Sequence, residues 1–252
     1  MITAITRKVA ASINNCQLTY VGRQRIDVEK AREQHQNFES FLKKLGAEVI
    51  SLKCEESLPD SVFVEDTAVV TKNVAIITTM GTPSRKGEPG KTAQVLKQFR
   101  PLRFISESVS IEGGDVVQVE DSFFVGISTR TSQQGFKQFS EILTPYDYQI
   151  TPVKVKGCLH LTTAATYIGQ NTMLVNPNWV DVSNFKGMKV IYVHPDEPWA
   201  GNALLINGNV LMPGSSVRTA EKMFPKGFNV DIVDISELEK AEAGLTCMCV
   251  IF

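Results

Sequence analysis

The chain has 252 residues, 43% hydrophobic and 21% charged, with a formal net charge of −1 at pH 7. It has ample material for a core, no basic footprint for nucleic acid, and no apolar run near the ~20 residues of a membrane span. Its five cysteines, at positions 16, 54, 158, 247 and 249, form no Cys-x-x-Cys pair. They argue against a disulfide framework or a structural zinc site and read as reduced thiols of a cytoplasmic protein.

The N-terminus lacks the basic start and long apolar centre of a signal peptide, and Ile2-Thr3-Ala4-Ile5 reads as a strand. The first long element is a helix that starts on an Asp27 N-cap, carries Glu29 in its first turn and stops at Gly46. Val28, Ala31, His35, Phe38, Leu42 and Leu45 share one face at helical spacing, which assigns His35 to the core side. Past the Pro59 loop, Asp66-Thr67-Ala68-Val69-Val70 turns at Lys72-Asn73 into Val74-Ala75-Ile76-Ile77, the pattern of a hairpin. A weaker helix is expected over residues 92–99. Asp115-Val116-Val117-Gln118-Val119 then turns at Glu120-Asp121 into Phe123-Phe124-Val125, followed by a helix over 133–143. A third hairpin runs from Ala165 through Gln170-Asn171 to Val175. The Pro195-Asp196-Glu197-Pro198 loop sets His194 toward solvent, and a fourth hairpin runs from Ala203 through Gly208-Asn209 to Met212. Short helices over 217–224 and 237–243 lead to the apolar tail Cys247-Met248-Cys249-Val250-Ile251-Phe252.

These units start at Asp66, Asp115, Ala165 and Ala203, at intervals of 49, 50 and 38 residues, and the tail begins at Cys247, 44 residues later, where a fifth unit is due. Its hairpin partner is expected to be the N-terminal run 2–5. Units of this length that cannot bury their own faces suggest a cyclic or solenoid array, and five units whose ends meet suggest a ring. No linker or composition shift divides the chain, so residues 1–252 read as a single α/β domain.

The chemistry-bearing residues fall at the starts of the units. Leu58-Pro59-Asp60-Ser61-Val62-Phe63-Val64-Glu65-Asp66 places three carboxylates at the first, and Ile111-Glu112-Gly113-Gly114-Asp115 places two at the second. A lone acid there serves most simply as a turn residue or helix cap. Acids at equivalent starts of successive units are different, because a ring gathers them around one axis, where they repel without a cation. A guanidinium, with its planar fork of donors, is the matching cation. The third unit opens on Cys158-Leu159-His160-Leu161-Thr162, and His160 is the sole histidine at a repeat start. His160 and Cys247 thus become a candidate general acid/base and nucleophile, although a terminal cysteine also fits as a small buried hydrophobe.

Taken with Phe123-Phe124-Val125-Gly126-Ile127-Ser128-Thr129-Arg130-Thr131 and the tail from Ser236 to Cys249, these motifs closely resemble the dimethylarginine dimethylaminohydrolases. That family belongs to the guanidine-modifying superfamily, whose fold is a five-fold pseudosymmetric α/β-propeller (pentein) of ββαβ-type units around a central active site. The resemblance runs from Leu18 to Cys247 in the family's order. It implies hydrolysis of Nω-methylated arginines to citrulline and a methylamine, with Cys247 as nucleophile and His160 as general acid/base. Glu112 completes the catalytic set and, with Asp66, would hold the guanidinium; Asp60 and Glu65 would contribute to the substrate pocket. Arg85 and Arg130 match arginines that clamp the substrate carboxylate, and Leu18 matches a lid whose backbone meets the substrate amino group. No cofactor and no metal are implied. The partner is a small guanidine molecule, with no nucleic acid or membrane, and monomer and homodimer both stay open.

Two departures stand out. Cys249 sits where the family more often has serine, so a second thiol lies on the same face of a strand as the nucleophile. Thr162 stands where arginine and agmatine deiminases carry an aspartate, which leaves room for N-methyl groups. The alternatives are an arginine deiminase, releasing ammonia, or another guanidine hydrolase on the same ring, and a catalytically silent propeller that only binds small molecules or partners; the intact Cys247, His160 and Glu112 speak against the last.

Overall fold

The computed structural model describes residues 2–252. Strand β1 (Ile2–Arg7), helix α1 (Val28–Lys44) and strand β2 (Ala47–Leu52) make a crossover, with β1 and β2 parallel from Ile2↔Ala47 to Arg7↔Leu52. The Asp27 carboxylate caps α1 by accepting the N–H groups of Glu29 and Lys30, and Gly46 ends it at φ +90°. Phe38 and Leu42 are fully buried, each worth roughly 1.5–3 kcal/mol of transfer free energy. His35 lies beside them, and burial pushes its imidazole down to about 4, so it is a neutral core residue.

Four further units repeat the order strand, strand, connection, strand. They are β3 (Ala68–Val70), β4 (Ala75–Ile77), α2 (Pro89–Leu96) and β5 (Leu102–Phe104); then β6 (Val116–Val119), β7 (Ser122–Ile127), α3 (Gln133–Leu143) and β8 (Gln149–Lys154). After the single turn α4 (Leu161–Ala164) come β9 (Ala165–Tyr167), β10 (Thr172–Val175) and β11 (Lys189–Tyr192), joined by a 3₁₀ turn rather than a helix. The fourth set is β12 (Leu204–Ile206), β13 (Asn209–Pro213), α5 (Val217–Glu221) and β14 (Asn229–Val233). In each, the first strand pairs antiparallel with the second and the second pairs in parallel with the third. The fifth sheet closes the ring: β15 (Val250–Ile251) pairs antiparallel with β1 at Ala4↔Ile251 and Ile5↔Val250. The fold is thus the five-unit α/β-propeller expected from the sequence.

Local differences have local causes. Helix α2 begins at Pro89, three residues before the expected 92–99 span, because the fixed φ of proline suits the first turn. Helix α5 stops at Glu221, short of residue 224. The last helix, α6 (Ser236–Glu239), ends well before residue 243, and the chain passes through Glu242 at φ +61°. The fourth hairpin turns at Asn207-Gly208, both at positive φ, one residue earlier than expected; Asn-Gly is the favoured pair for a two-residue turn, and Asn209 already belongs to β13. His194 is half-buried, with its ring Nδ1 accepting the Asp196 N–H.

A regularity invisible to the strand pattern positions the site. Before the first strand of each unit the chain makes one helical turn: Val64–Thr67, Gly113–Asp115, α4, Pro198–Gly201 and Thr246–Met248. These turns pack against one another around the axis. Cys247 therefore lies on a turn and not in the strand expected for it. Among the described residues no helix is long and apolar enough to cross a membrane.

Candidate active site

The first three turns bring Asp66, Glu112 and His160 together. The His160 Nε2 lies 2.6 Å from Glu112 Oε2 and 3.7 Å from Asp66 Oδ1. Glu112 is fixed through its other oxygen, Oε1, which accepts the Gly81 N–H at 2.8 Å, while Asp66 Oδ1 accepts the Gly114 N–H at 3.1 Å. The glycine pair is a requirement of this approach. A Cβ on Gly113 would stand 2.0 Å from the Glu65 carbonyl oxygen, and one on Gly114 would stand 2.7 Å from Asp66 Oδ1 and 2.8 Å from His160 Nδ1. Asp115 supports the same turn from behind, accepting the Leu161 N–H at 3.0 Å and the Ser128 hydroxyl at 2.6 Å.

The fifth turn brings in Cys247, whose Sγ accepts the Gly244 N–H at 3.3 Å. Thr246 beside it donates its hydroxyl to Glu65 Oε2 at 2.9 Å, and Thr162 donates to the same oxygen at 3.4 Å. Cys249 also feels Glu65 but makes different contacts. Its thiol points toward the Leu245 and Thr246 carbonyls and lines a cavity of about 280 Å³ together with Val70, Val117, Thr166 and Leu205. The worry that two residues of one strand share a face thus dissolves, because the turn at Thr246–Met248 separates the two thiols.

Arg85 and Arg130 are both buried near these acids. Arg85 is fully engaged: Nη1 donates to Asp66 Oδ2 at 2.7 Å, Nε and Nη2 bind Glu88 at 3.0 and 2.8 Å, and Nη2 also reaches the Phe63 carbonyl. Arg130 is less committed, with Nη1 at 3.4 Å from Thr82 Oγ1 and 3.6 Å from Glu112 Oε1. Asp60 accepts the Gln17 N–H at 2.9 Å, next to Leu18, whose side chain packs on the cluster that contains Cys247.

Burial and crowding set the protonation states. Burial alone would lower the His160 imidazole, but Asp66, Glu112 and Asp115 outweigh it and push the ring up to about 10. Burial would raise Glu112, yet the hydrogen bond and charge of His160, with Arg85 and Arg130, hold it down to about 2. At Glu65 burial and the charge of Asp66 outweigh the Thr246 hydrogen bond and the charge of His160, and carry the carboxyl up to about 8. The Cys247 thiol is raised well above its ordinary value by burial and by Glu65 and Asp66. At neutral pH these groups are therefore an imidazolium, an ionised Glu112, a protonated Glu65 and a neutral thiol. Glu65 is charged in the higher pH range where the thiol ionises, so replacing it by Gln removes one of the charges that oppose thiolate formation. The rate of Cys247 alkylation by iodoacetamide should then rise at lower pH in Glu65→Gln than in the native chain; an unshifted profile would show that Glu65 does not tune the thiol.

Asn202 was not singled out in the sequence. It is buried, and its side chain bridges Thr162 and Thr246: Nδ2 donates to the Thr162 carbonyl at 3.1 Å and to Thr246 Oγ1 at 2.8 Å, and Oδ1 accepts the Thr246 N–H. The available signal was its place directly before the fourth repeat start at Ala203. The ligand atoms of Asp66, Glu112 and His160 lie within 4.8 Å of one another, close enough for a single cation.

Five ββαβ-type units closed by pairing the chain ends, with acids, a histidine and a thiol on the central turns, define an α/β-propeller of the guanidine-modifying class. The chain belongs to the dimethylarginine dimethylaminohydrolase family: the model of eukaryotic N,N dimethylarginine dimethylhydrolases matches residues 3–191. It is 34% identical over 228 residues to the N(G),N(G)-dimethylarginine dimethylaminohydrolase of Pseudomonas aeruginosa, covering 90% of each chain. It is 31% identical to that of Streptomyces coelicolor, over 98% of this chain and 95% of the relative. A cysteine-to-serine mutant of the P. aeruginosa enzyme, complexed with citrulline, superimposes with a TM-score of 0.94 at 32% identity over the whole of both chains. A histidine-to-glycine dimethylarginine dimethylaminohydrolase, as an adduct with S-methyl-L-thiocitrulline, gives the same TM-score, identity and coverage. The N-terminal domain of ArgZ, 19% identical with a TM-score of 0.90, shares the fold.

Proposed function

We propose that this chain hydrolyses Nω-methylated L-arginines to L-citrulline and di- or monomethylamine through a covalent intermediate on cysteine. The observation that carries the reading is the buried cluster of Asp66, Glu112 and His160 beside the Cys247 turn, in a chain of this family. The substrate guanidinium is the cation that Asp66 and Glu112 accommodate, and its arrival supplies the positive charge that the Cys247 thiol lacks in the empty site. The thiol then gives its proton to solvent and the thiolate attacks the central guanidinium carbon. As the C–N bond to the alkylamine breaks, the His160 imidazolium donates its proton to the departing nitrogen, leaving an S-alkylthiouronium. His160, now neutral, takes a proton from water as it attacks the same carbon. As the C–S bond breaks, the proton of the new hydroxyl passes to the departing sulfur, which restores the thiol and releases citrulline.

Thr162 supports the preference for methylated substrates, because its hydroxyl, and not a second carboxylate, faces Glu65. Arg130 is assigned to the distal carboxylate. Arg85 reaches that group only by sharing donors now held by Glu88 and Asp66, so its main work in this reading is to brace Asp66. Asp60 and the Leu18 backbone are assigned to the substrate amino group. We place the activity in the cytoplasm, without metal.

The test is the ratio of kcat/KM for asymmetric dimethylarginine and monomethylarginine to that for arginine. The native chain should favour the methylated substrates, and Thr162→Asp should narrow the ratio, because an added carboxylate is left unpaired by a dimethylated nitrogen. More efficient release of ammonia from arginine than of dimethylamine from dimethylarginine would make the chain a deiminase.

A further inference from the structure

The segment after the turn Ala11–Asn15 has no regular structure until α1, yet it is held at one point by an unusual contact. The backbone N–H groups of Thr19, Tyr20 and Val21, three in succession, all donate to the single oxygen Oε1 of Glu242, with Thr19 at 2.8 Å and Val21 at 2.7 Å. Successive N–H groups turned to one side form a concave anion site, here filled by a side chain of the same protein. Glu242 lies 223 residues away from Thr19 in sequence and five before Cys247. It adopts φ +61°, a conformation that non-glycine residues rarely take and that persists where the surroundings demand it. Its second oxygen, Oε2, is buried with no hydrogen-bond partner among the described residues. A buried carboxylate oxygen without a protein partner is costly, and opening of the loop would expose it to solvent.

The same loop walls a cavity next to the site. Val21 on one side and Glu242, Ala243 and Gly244 on the other line a cavity of about 210 Å³ that also touches Trp199 and Asn202. Gly244 is the residue whose N–H donates to Cys247 Sγ, and Leu18, next to the clasped amides, packs on the cluster that contains Cys247. Gln17, on the other flank of Leu18, is tied to Asp60. Leu18 is thus pinned between two carboxylates, one at each side.

We propose that Glu242 is a positioning residue, a carboxylate latch that clasps the backbone of residues 19–21 and holds the Leu18 loop over the Cys247 turn, release of the latch being the step that opens the site. The latch stands on geometry alone; its consequence for turnover rests on the hydrolase reading above. Three favourable bonds on one oxygen set against a stranded second oxygen and a left-handed backbone make a clasp that can let go.

The experiment is amide hydrogen exchange on the full chain, resolved at residues 19–21, for the native protein and for Glu242→Gln and Glu242→Ala. The native amides should be protected. Exchange should speed up on the order of tenfold or more in Glu242→Ala and by less in Glu242→Gln, which keeps a neutral acceptor, while amides of α1 and β7 keep their rates. With dimethylarginine as substrate, KM should rise on the order of tenfold in Glu242→Ala with a smaller change in kcat. Unprotected native amides at 19–21, or equal exchange in all three proteins, would overturn the latch. A native chain inactive on dimethylarginine but showing the exchange pattern would overturn the hydrolase reading and leave the latch standing.

Discussion

Cys247→Ser should abolish turnover of methylated arginines while leaving substrate binding intact, and Cys249→Ser should keep substantial activity. The two thiols are two residues apart, yet they face different surroundings. Cys247 Sγ accepts the Gly244 N–H on the central turn and feels both Glu65 and Asp66, whereas Cys249 feels Glu65 alone and its thiol is directed to the Leu245 and Thr246 carbonyls. A serine hydroxyl preserves the shape of the site but is not ionised by a neighbouring guanidinium at neutral pH, so the expected loss lies in kcat with binding retained. Steady-state rates and calorimetric binding of dimethylarginine to each variant check the pair. An active Cys247→Ser, or an inactive but folded Cys249→Ser, would move the nucleophile to the other thiol.

His160→Gly should remove most turnover, on the order of 10²–10⁴-fold, the usual contribution of a positioned acid/base. The ring is held against Glu112 at 2.6 Å, and Gly114 leaves it the room it occupies, so its removal opens a space that free imidazole can enter. Added imidazole should restore part of the rate. The electrostatics also fix the sign of the pH profile. In the free protein the thiol must lose a proton that its surroundings hold tightly, so kcat/KM should rise with pH through neutrality. It should fall again as the His160 imidazolium, raised to about 10, deprotonates and can no longer supply the leaving amine. Near-normal rates in His160→Gly, or a profile that falls from neutral pH upward, would remove His160 from the proton path.

The ring was legible in the sequence because each unit repeats the same order of β-rich runs around a polar turn, and because the apolar tail at 250–251 was left without a partner until the N-terminal run supplied one. The acids were legible for a related reason: Asp66 and Glu112 stand at equivalent places, so closure had to bring them together. The single helical turns before each first strand were not. Three or four residues carry no measurable periodicity, and Thr246-Cys247-Met248 reads as naturally as a strand start. The partners that hold the site were hidden for a different reason. Asn202 with Thr246, 44 residues apart, and Glu242 with the loop at 19–21, at the far end of the chain, are joined by tertiary contacts, and the local Arg85–Glu88 pair sits on a 3₁₀ turn too short to carry a pattern. The shift of α2 to Pro89 and of the fourth turn to Asn207-Gly208 reflects local chemistry that was present in the sequence and outweighed by hydrophobic spacing.

The central claim is that this site splits a methylated guanidinium by hydrolysis of its C–N bond to the alkylamine. Incubation of the purified chain with asymmetric dimethylarginine alone, followed by quantification of both products, tests it most directly. Citrulline and dimethylamine should form in one-to-one amounts, catalytically and without added metal. Recovery of unchanged dimethylarginine from a folded protein, or citrulline without an equal amount of dimethylamine, would contradict it.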